Sequence, residues 1–204
     1  MKAVDRILGD RPPNGVDKDP ERAYNYAIYV TNGRLWPEAE ATIAKSPEWA
    51  YYYAKNIVQE RWPEGEPAIS KNATFAYKYA AYVIEGRWPE GEPAIATGAE
   101  CSYNYAHDIV KGPWPDGENA IANDEYWSLA YAQHVIDGRW PKGEPVIKKD
   151  PRLAYYYALC VIKGRWPEAE DAIVTVPHYK DAYLKQFPDA KDDWAMNGWI
   201  DWLD

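Results

Sequence analysis

The chain has 204 residues, with Trp 11, Tyr 18 and Pro 17 beside only Phe 2 and Met 2, 47% hydrophobic residues and a formal net charge of −9. That apolar content excludes a disordered chain, and the absence of any run of about 18 apolar residues argues against a membrane span. The excess of 32 acids over 23 bases speaks against a large phosphate-binding surface, while Cys 2 is too few for a disulfide framework and points to a reducing, cytoplasmic setting.

The first residues, MKAVDRILGDRPPNG, lack an apolar h-region and carry acids early, so no secretory signal is expected. Residues 1–18 read as an N-terminal cap. From Asp19 the segment DPERAYNYAIYVTNGR predicts a helix with an aspartate N-cap and a proline in its first turn. Leu35 is then one extra residue before Trp36.

From Trp36 onward the chain repeats itself. Trp36, Trp62, Trp88, Trp114, Trp140 and Trp166 recur every 26 residues, each followed by proline. Glu40, Glu66, Glu92, Glu118, Glu144 and Glu170 stand four places after each tryptophan, and Ile43, Ile69, Ile95, Ile121, Ile147 and Ile173 stand seven after. Each unit predicts two helices. The first opens on Trp-Pro, where proline's missing N–H has no helical partner in any case. The second follows Ser46, Asn72, Gly98, Asp124 or Asp150, and all but the glycine are good N-caps. Its expected end is Gly86, Gly112, Gly138 or Gly164, taken to occupy the left-handed C-cap. Along the second helix, Ala154, Tyr157, Ala158, Val161 and Ile162 fall on one helical stripe, matched by Ala50, Tyr53, Ala54, Ile57 and Val58. Alanines there let helices approach, and the tyrosines are expected to fill gaps while their hydroxyls stay wet.

The pattern is expected to dissolve after Pro177. Residues 19–176 thus form the repeats, and 177–204 a closing cap in which Trp194, Trp199 and Trp202 cover the last core face. A unit this short cannot bury its own stripe, so neighbours must stack. The predicted fold is all-α: a single domain forming a right-handed α-solenoid of about seven helical hairpins. The pieces GRWPEAE and AYYYA resemble short two-helix repeats of uncharacterised bacteriophage and bacterial proteins. That resemblance covers about Asp19 to Val176 and implies a repeat family and a phage origin, with no activity to carry over.

Candidate chemistry is sparse. Arg61, Arg87, Arg139 and Arg165 precede their tryptophans and suggest a cation–π or base-stacking site. Their recurrence in nearly every unit favours a structural role, pairing with glutamates such as Glu66 and Glu92. Pro113 and Lys142 are departures from the pattern. His107, His134 and His178 lack metal-ligand spacing, and no phosphate loop or nucleophile elbow is present. No catalytic residue, metal or cofactor is assigned; Cys160 is the least unsuitable nucleophile.

The second helices also carry non-uniform columns. One holds Tyr29, Asn56, Tyr82, Asp108, His134 and Cys160, and its neighbour holds Asn25, Tyr52, Lys78, Asn104, Ala130 and Tyr156. These columns are either an ordinary exposed helix face or a partner surface. The partner-binding candidates are Tyr29, Tyr52, Asn56, Lys78, Tyr82, Asn104, Asp108, His134 and Tyr156. The expected function is non-enzymatic protein binding, as a phage-encoded inhibitor or adaptor acting on a host protein. The alternatives are acidic mimicry of nucleic acid and sequestration of a nucleotide-like ligand between repeats. Direct nucleic-acid binding is not expected, and oligomeric state is left open.

Overall fold

A computed structural model describes residues 15–200, and every regular element among them is helical, with no strand. Contacts divide the chain into two units, Met1–Val110 and Lys111–Asp204.

In the first unit the second-type helices are α1 (Pro20–Tyr29), α3 (Pro47–Tyr53), α5 (Ala73–Tyr79) and α7 (Ala99–Asn104). The first-type helices are α2 (Pro37–Ile43), α4 (Glu66–Ile69) and α6 (Glu92–Ile95). The second unit contains α8 (Pro115–Ile121), α9 (Glu125–Tyr131), α10 (Glu144–Ile147), α11 (Pro151–Tyr156), α12 (Glu170–Ile173), α13 (Pro177–Gln186) and α14 (Ala190–Met196). Within each unit, second-type helices pack in succession: α1 on α3 on α5 on α7, and α9 on α11 on α13. The caps are Asp19, Ser46, Asn72, Asp124 and Asp150, each accepting a backbone N–H two or three residues on.

Three expectations are corrected. The first-type helix does not always open at proline: α4, α6 and α10 begin three residues later, at the glutamate, after a non-helical turn. In these repeats Gly65, Gly91 and Gly143 let the preceding tryptophan ring lie where a Cβ would stand only 2.3–2.5 Å from it. Second, the left-handed residue is not the glycine but the one before it: Glu85, Lys111, Asp137 and Lys163, with φ between 52° and 58°. Gly86, Gly138 and Gly164 lie one place further on, where their N–H groups bond back to Ala80, Ala132 and Ala158 carbonyls in a Schellman-like closure. The preceding helical turn is wide, with i→i+5 bonding over Ala54–Val58 and its counterparts. Third, the pattern persists past Pro177, since Tyr183 on α13 continues the tyrosine column. The N-terminal cap reading falls largely on residues 1–14, and Trp202 on 201–204, all outside the described residues.

One polar arrangement recurs six times among the described residues. The Trp36 N–H donates to the Tyr53 hydroxyl at 2.9 Å, and that hydroxyl donates to Glu40 Oε1 at 2.9 Å. The same relay joins Trp62, Tyr79 and Glu66; Trp88, Tyr105 and Glu92; Trp114, Tyr131 and Glu118; Trp140, Tyr157 and Glu144; and Trp166, Tyr183 and Glu170. Arg61, Arg87, Arg139 and Arg165 grip their relay glutamates with two guanidinium bonds each. The tyrosine hydroxyls are therefore bonded within the fold and not left to water. Burial pushes the Tyr105 and Tyr131 hydroxyls up to about 12, keeping each a neutral donor at physiological pH. Within each unit relay tyrosine rings also lie against the next tryptophan, with Tyr53–Trp62 and Tyr79–Trp88 centroids 4.9 Å apart, Tyr131–Trp140 centroids 4.8 Å apart and Tyr157–Trp166 centroids 4.7 Å apart. At the C-terminal end Trp194 takes that place, stacking on Tyr183 and donating its indole N–H to Glu170.

Tyr79→Phe removes a hydroxyl that satisfies both the buried Trp62 N–H and Glu66. Stability should fall by about 1–3 kcal/mol in urea unfolding. Tyr29→Phe, on a ring 81% exposed, should change it by less than about 0.5 kcal/mol. Glu144 adds a pH dependence. Burial alone would raise its carboxyl, but bonds from Arg139 and Tyr157 outweigh burial and hold it below the usual 4.5. A carboxyl depressed by folding contributes stability that is full above its unfolded value and fades as pH falls through the folded one. Glu144→Gln should be less stable than the native chain at neutral pH. The gap should close below about pH 4.5, as read from urea midpoints across pH.

Candidate functional site

With relay tryptophans and tyrosines buried, the second-type helices turn other side chains outward. In the first unit this surface is a cluster of aromatic rings. Tyr24, Trp49, Tyr52, Tyr51 and Phe75 follow one another with ring centroids 5.1–6.3 Å apart, at interplanar angles from 32° to 70°. Tyr51 is buried and anchors the group, while the other four are half-buried. Trp49 and Phe75 share one helical position, three residues after their N-caps Ser46 and Asn72, and are placed there by cap bonds to their own backbone N–H groups. Lys55 Nζ lies 4.4 Å from the Tyr82 ring centroid and 5.8 Å from that of Tyr51, and Lys78 Nζ lies 5.3 Å from Phe75.

The sequence-derived candidates divide on this surface. Tyr52 and Lys78 belong to the cluster, and Tyr82 joins it through Lys55. Asn56 and Asp108 are already engaged across repeats: the Asn56 amide donates to the Tyr24 hydroxyl at 2.8 Å, and the Tyr77 hydroxyl donates to Asp108 at 2.7 Å. His107 holds the other Asp108 oxygen at 2.7 Å. Burial would raise the Asp108 carboxyl, but these two bonds outweigh it and set it below its ordinary range. Asn104 is half-buried, and Tyr29, at the far end of α1, is exposed. In the second unit His134 and Tyr156 are exposed and Cys160 is half-buried. Tyr24, Trp49, Tyr51 and Phe75 were missed as candidates. For Tyr24 and Tyr51 the signal is present in the sequence, as a column of Tyr24, Tyr51, Tyr77, Tyr103 and Tyr155 interrupted only by Leu129.

The arginine–tryptophan pairs do not form a stacking site, because the guanidiniums are bonded to glutamates and the indoles of Trp62, Trp88, Trp140 and Trp166 are buried. Burial pushes the Cys101 thiol up, the direction opposite to that of an activated nucleophile. Among the described residues, no group of three or more His, Cys, Asp or Glu side chains is arranged to hold a metal ion, and no helix is long and apolar enough to cross a membrane.

The second unit contains an open cleft of about 640 Å³ where the helix-to-helix corners of three repeats meet. Lys149, Arg152 and Tyr179 line it together with Glu125 and Asp150. Asp150 is occupied in capping α11, where it accepts from the Arg152 and Leu153 N–H groups.

The cross-repeat bonds on this face make Asp108 a structural residue as well as a surface one. Asp108→Ala should cost about 0.5–1.5 kcal/mol in urea unfolding, while Asp108→Asn, which keeps an acceptor for Tyr77, should cost less than half of that.

No protein-family model matches the chain, and no curated protein or solved structure does either.

Proposed function

We propose that this chain is a non-enzymatic protein-binding module built as a right-handed α-solenoid of about seven helical hairpins, with its second-helix face as the recognition surface. The observation that carries this reading is the half-exposed run Tyr24, Trp49, Tyr52 and Phe75, which lies outside the strictly repeated relay. Trp and Tyr supply large, rigid contact area with few rotatable bonds and dominate protein interfaces energetically. The likeness of GRWPEAE and AYYYA to phage repeats supports an inhibitor or adaptor that acts on a host protein in the bacterial cytoplasm.

The rival readings receive less support. Glu66, Glu92, Glu144 and Glu170 are each paired with an arginine, and Glu118 with Lys142, so five relay acids are neutralised internally and are not free to imitate a row of phosphates. A nucleotide-like ligand finds Arg152 and Tyr179 in the cleft of the second unit, but Glu125 and Asp150 on the same walls cancel the positive charge that a phosphate requires.

Immobilised protein should capture a discrete partner from host lysate, and the triple variant Trp49→Ser, Tyr52→Ser, Tyr82→Ser should lose it with its far-ultraviolet helical spectrum unchanged. Capture retained by that variant would exclude this face. Capture that vanishes steeply as salt rises and competes with duplex DNA would replace protein recognition with mimicry.

A further inference from the structure

We infer that Lys142 stands in for the arginine absent at position 113, and that the relay at Trp114 is the electrostatically held and most readily opened joint of the second unit. In that unit the relays at Trp140 and Trp166 have their own arginine. Arg139 and Arg165 each make two bonds of 2.9–3.0 Å to Glu144 and Glu170. At Trp114 the preceding residue is Pro113, which brings no cation. There Glu118 Oε2 receives Lys142 Nζ at 3.3 Å, from 24 residues further along the chain.

The column to which Lys142 belongs, two places after each tryptophan, otherwise holds Glu38, Glu64, Glu90, Asp116 and Glu168. Its reach explains the sign. Glu168 lies 3.8 Å from Arg139 of the preceding repeat, so this column faces the charge of the relay before it. Where that relay has an arginine, an acid suits the position. At the Trp114 relay, where Pro113 stands in the arginine's place, the carboxylate of Glu118 meets the Lys142 ammonium instead. At the Trp36 relay, where Leu35 precedes the tryptophan, the column still holds an acid, Glu64, so the exchange is particular to the Trp114 relay. Trp194 shows independently that a donor 24 residues after a relay glutamate reaches its second oxygen, since its indole N–H bonds Glu170 Oε2 at 2.7 Å. Pro113 and Lys142, each an anomaly in the repeat, are thus two halves of one exchange.

The exchange leaves a weaker grip. A single ammonium bond at 3.3 Å replaces a two-pronged guanidinium contact. The hydroxyl of Tyr131 also lies further from its carboxylate, at 3.2 Å, than in the other five relays, at 2.8–2.9 Å.

The Trp114 amide proton, donated to Tyr131, reports on this joint directly, and the Trp140 amide serves as the reference within the same unit. Lys142→Ala should speed hydrogen exchange at Trp114 by on the order of two- to fivefold, the range an exposed ion pair supplies, without moving Trp140. Pro113→Arg should slow Trp114, and in that background Lys142→Ala should have no further effect. Raising salt from ~0.05 to ~1 M should erase most of the difference between native and Lys142→Ala chains. An unchanged Trp114 rate in Lys142→Ala would overturn the inference, as would equal acceleration at Trp140. Failure of Pro113→Arg to make Lys142 dispensable would do the same.

Discussion

The hydroxyl of one tyrosine per repeat decides how the chain is arranged. It accepts the N–H of a tryptophan and donates to the glutamate four residues after that tryptophan, binding the entry to a first-type helix to the second helical segment that follows it. The tryptophan N–H precedes a first-type helix, or the turn that leads into it, and so has no intrahelical partner; at a buried position it would be costly if left unmade. A fully satisfied buried network both tolerates burial and specifies geometry. The intervals from tryptophan to glutamate and from glutamate to tyrosine, 13 residues for the latter, are therefore constant in all six relays.

The single insertion tests this constraint. Leu35 falls between relays, after the helix of Tyr26 and before Trp36, so it leaves the interval from Trp36 to Tyr53 intact. The extra residue is absorbed in the turn. Other turns contain one left-handed residue, but here Asn32 and Gly33 are both left-handed, at φ 57° and 72°. The Tyr26 and Trp36 rings still meet at 4.8 Å, the separation seen where no residue is inserted. The composition follows from the same constraint, because phenylalanine cannot replace a buried tyrosine whose oxygen has two partners. Indole area is preferred even where its N–H finds no acceptor among the described residues, as at Trp88 and Trp166.

The columns of Trp, Glu and Ile are legible in the sequence because period alone reveals them, and the stripe Ala50, Tyr53, Ala54, Ile57 follows from helical spacing. The relay itself is harder to read. Nothing local marks Tyr53 as a partner of Trp36, since the bond spans 17 residues and depends on how two helices meet. The clue was chemical: tyrosine, never phenylalanine, stands in six consecutive repeats. Glycine misled for a related reason. Its abundance at helix ends suggested the left-handed position, yet Glu60 fills the same column without disturbing Gln59 at φ 61°. Pro113 and Lys142 looked like independent departures because their link runs between repeats, at a separation no single unit displays. The surface cluster was legible only in part. Tyr52 and Tyr82 stood out as unrepeated, while Tyr24 and Tyr51 were hidden by their own regularity.

A repeat array that consumes its own aromatics and charges in this way limits where function can reside. Relay tryptophans are buried, relay arginines are bonded, and five of the six relay glutamates are paired with a cation, so these groups are not available to a ligand without loosening the scaffold. What remains is the set of side chains outside the relay. The first unit presents contiguous rings on three successive second-type helices. The second unit presents a smaller ring group, Tyr156, Tyr155, Tyr179 and His178, beside an open cleft with charges of both signs. The ring surface is the stronger basis for recognition, because it adds apolar area at little entropic cost, whereas charges that already oppose one another around a cleft offer a ligand no net attraction.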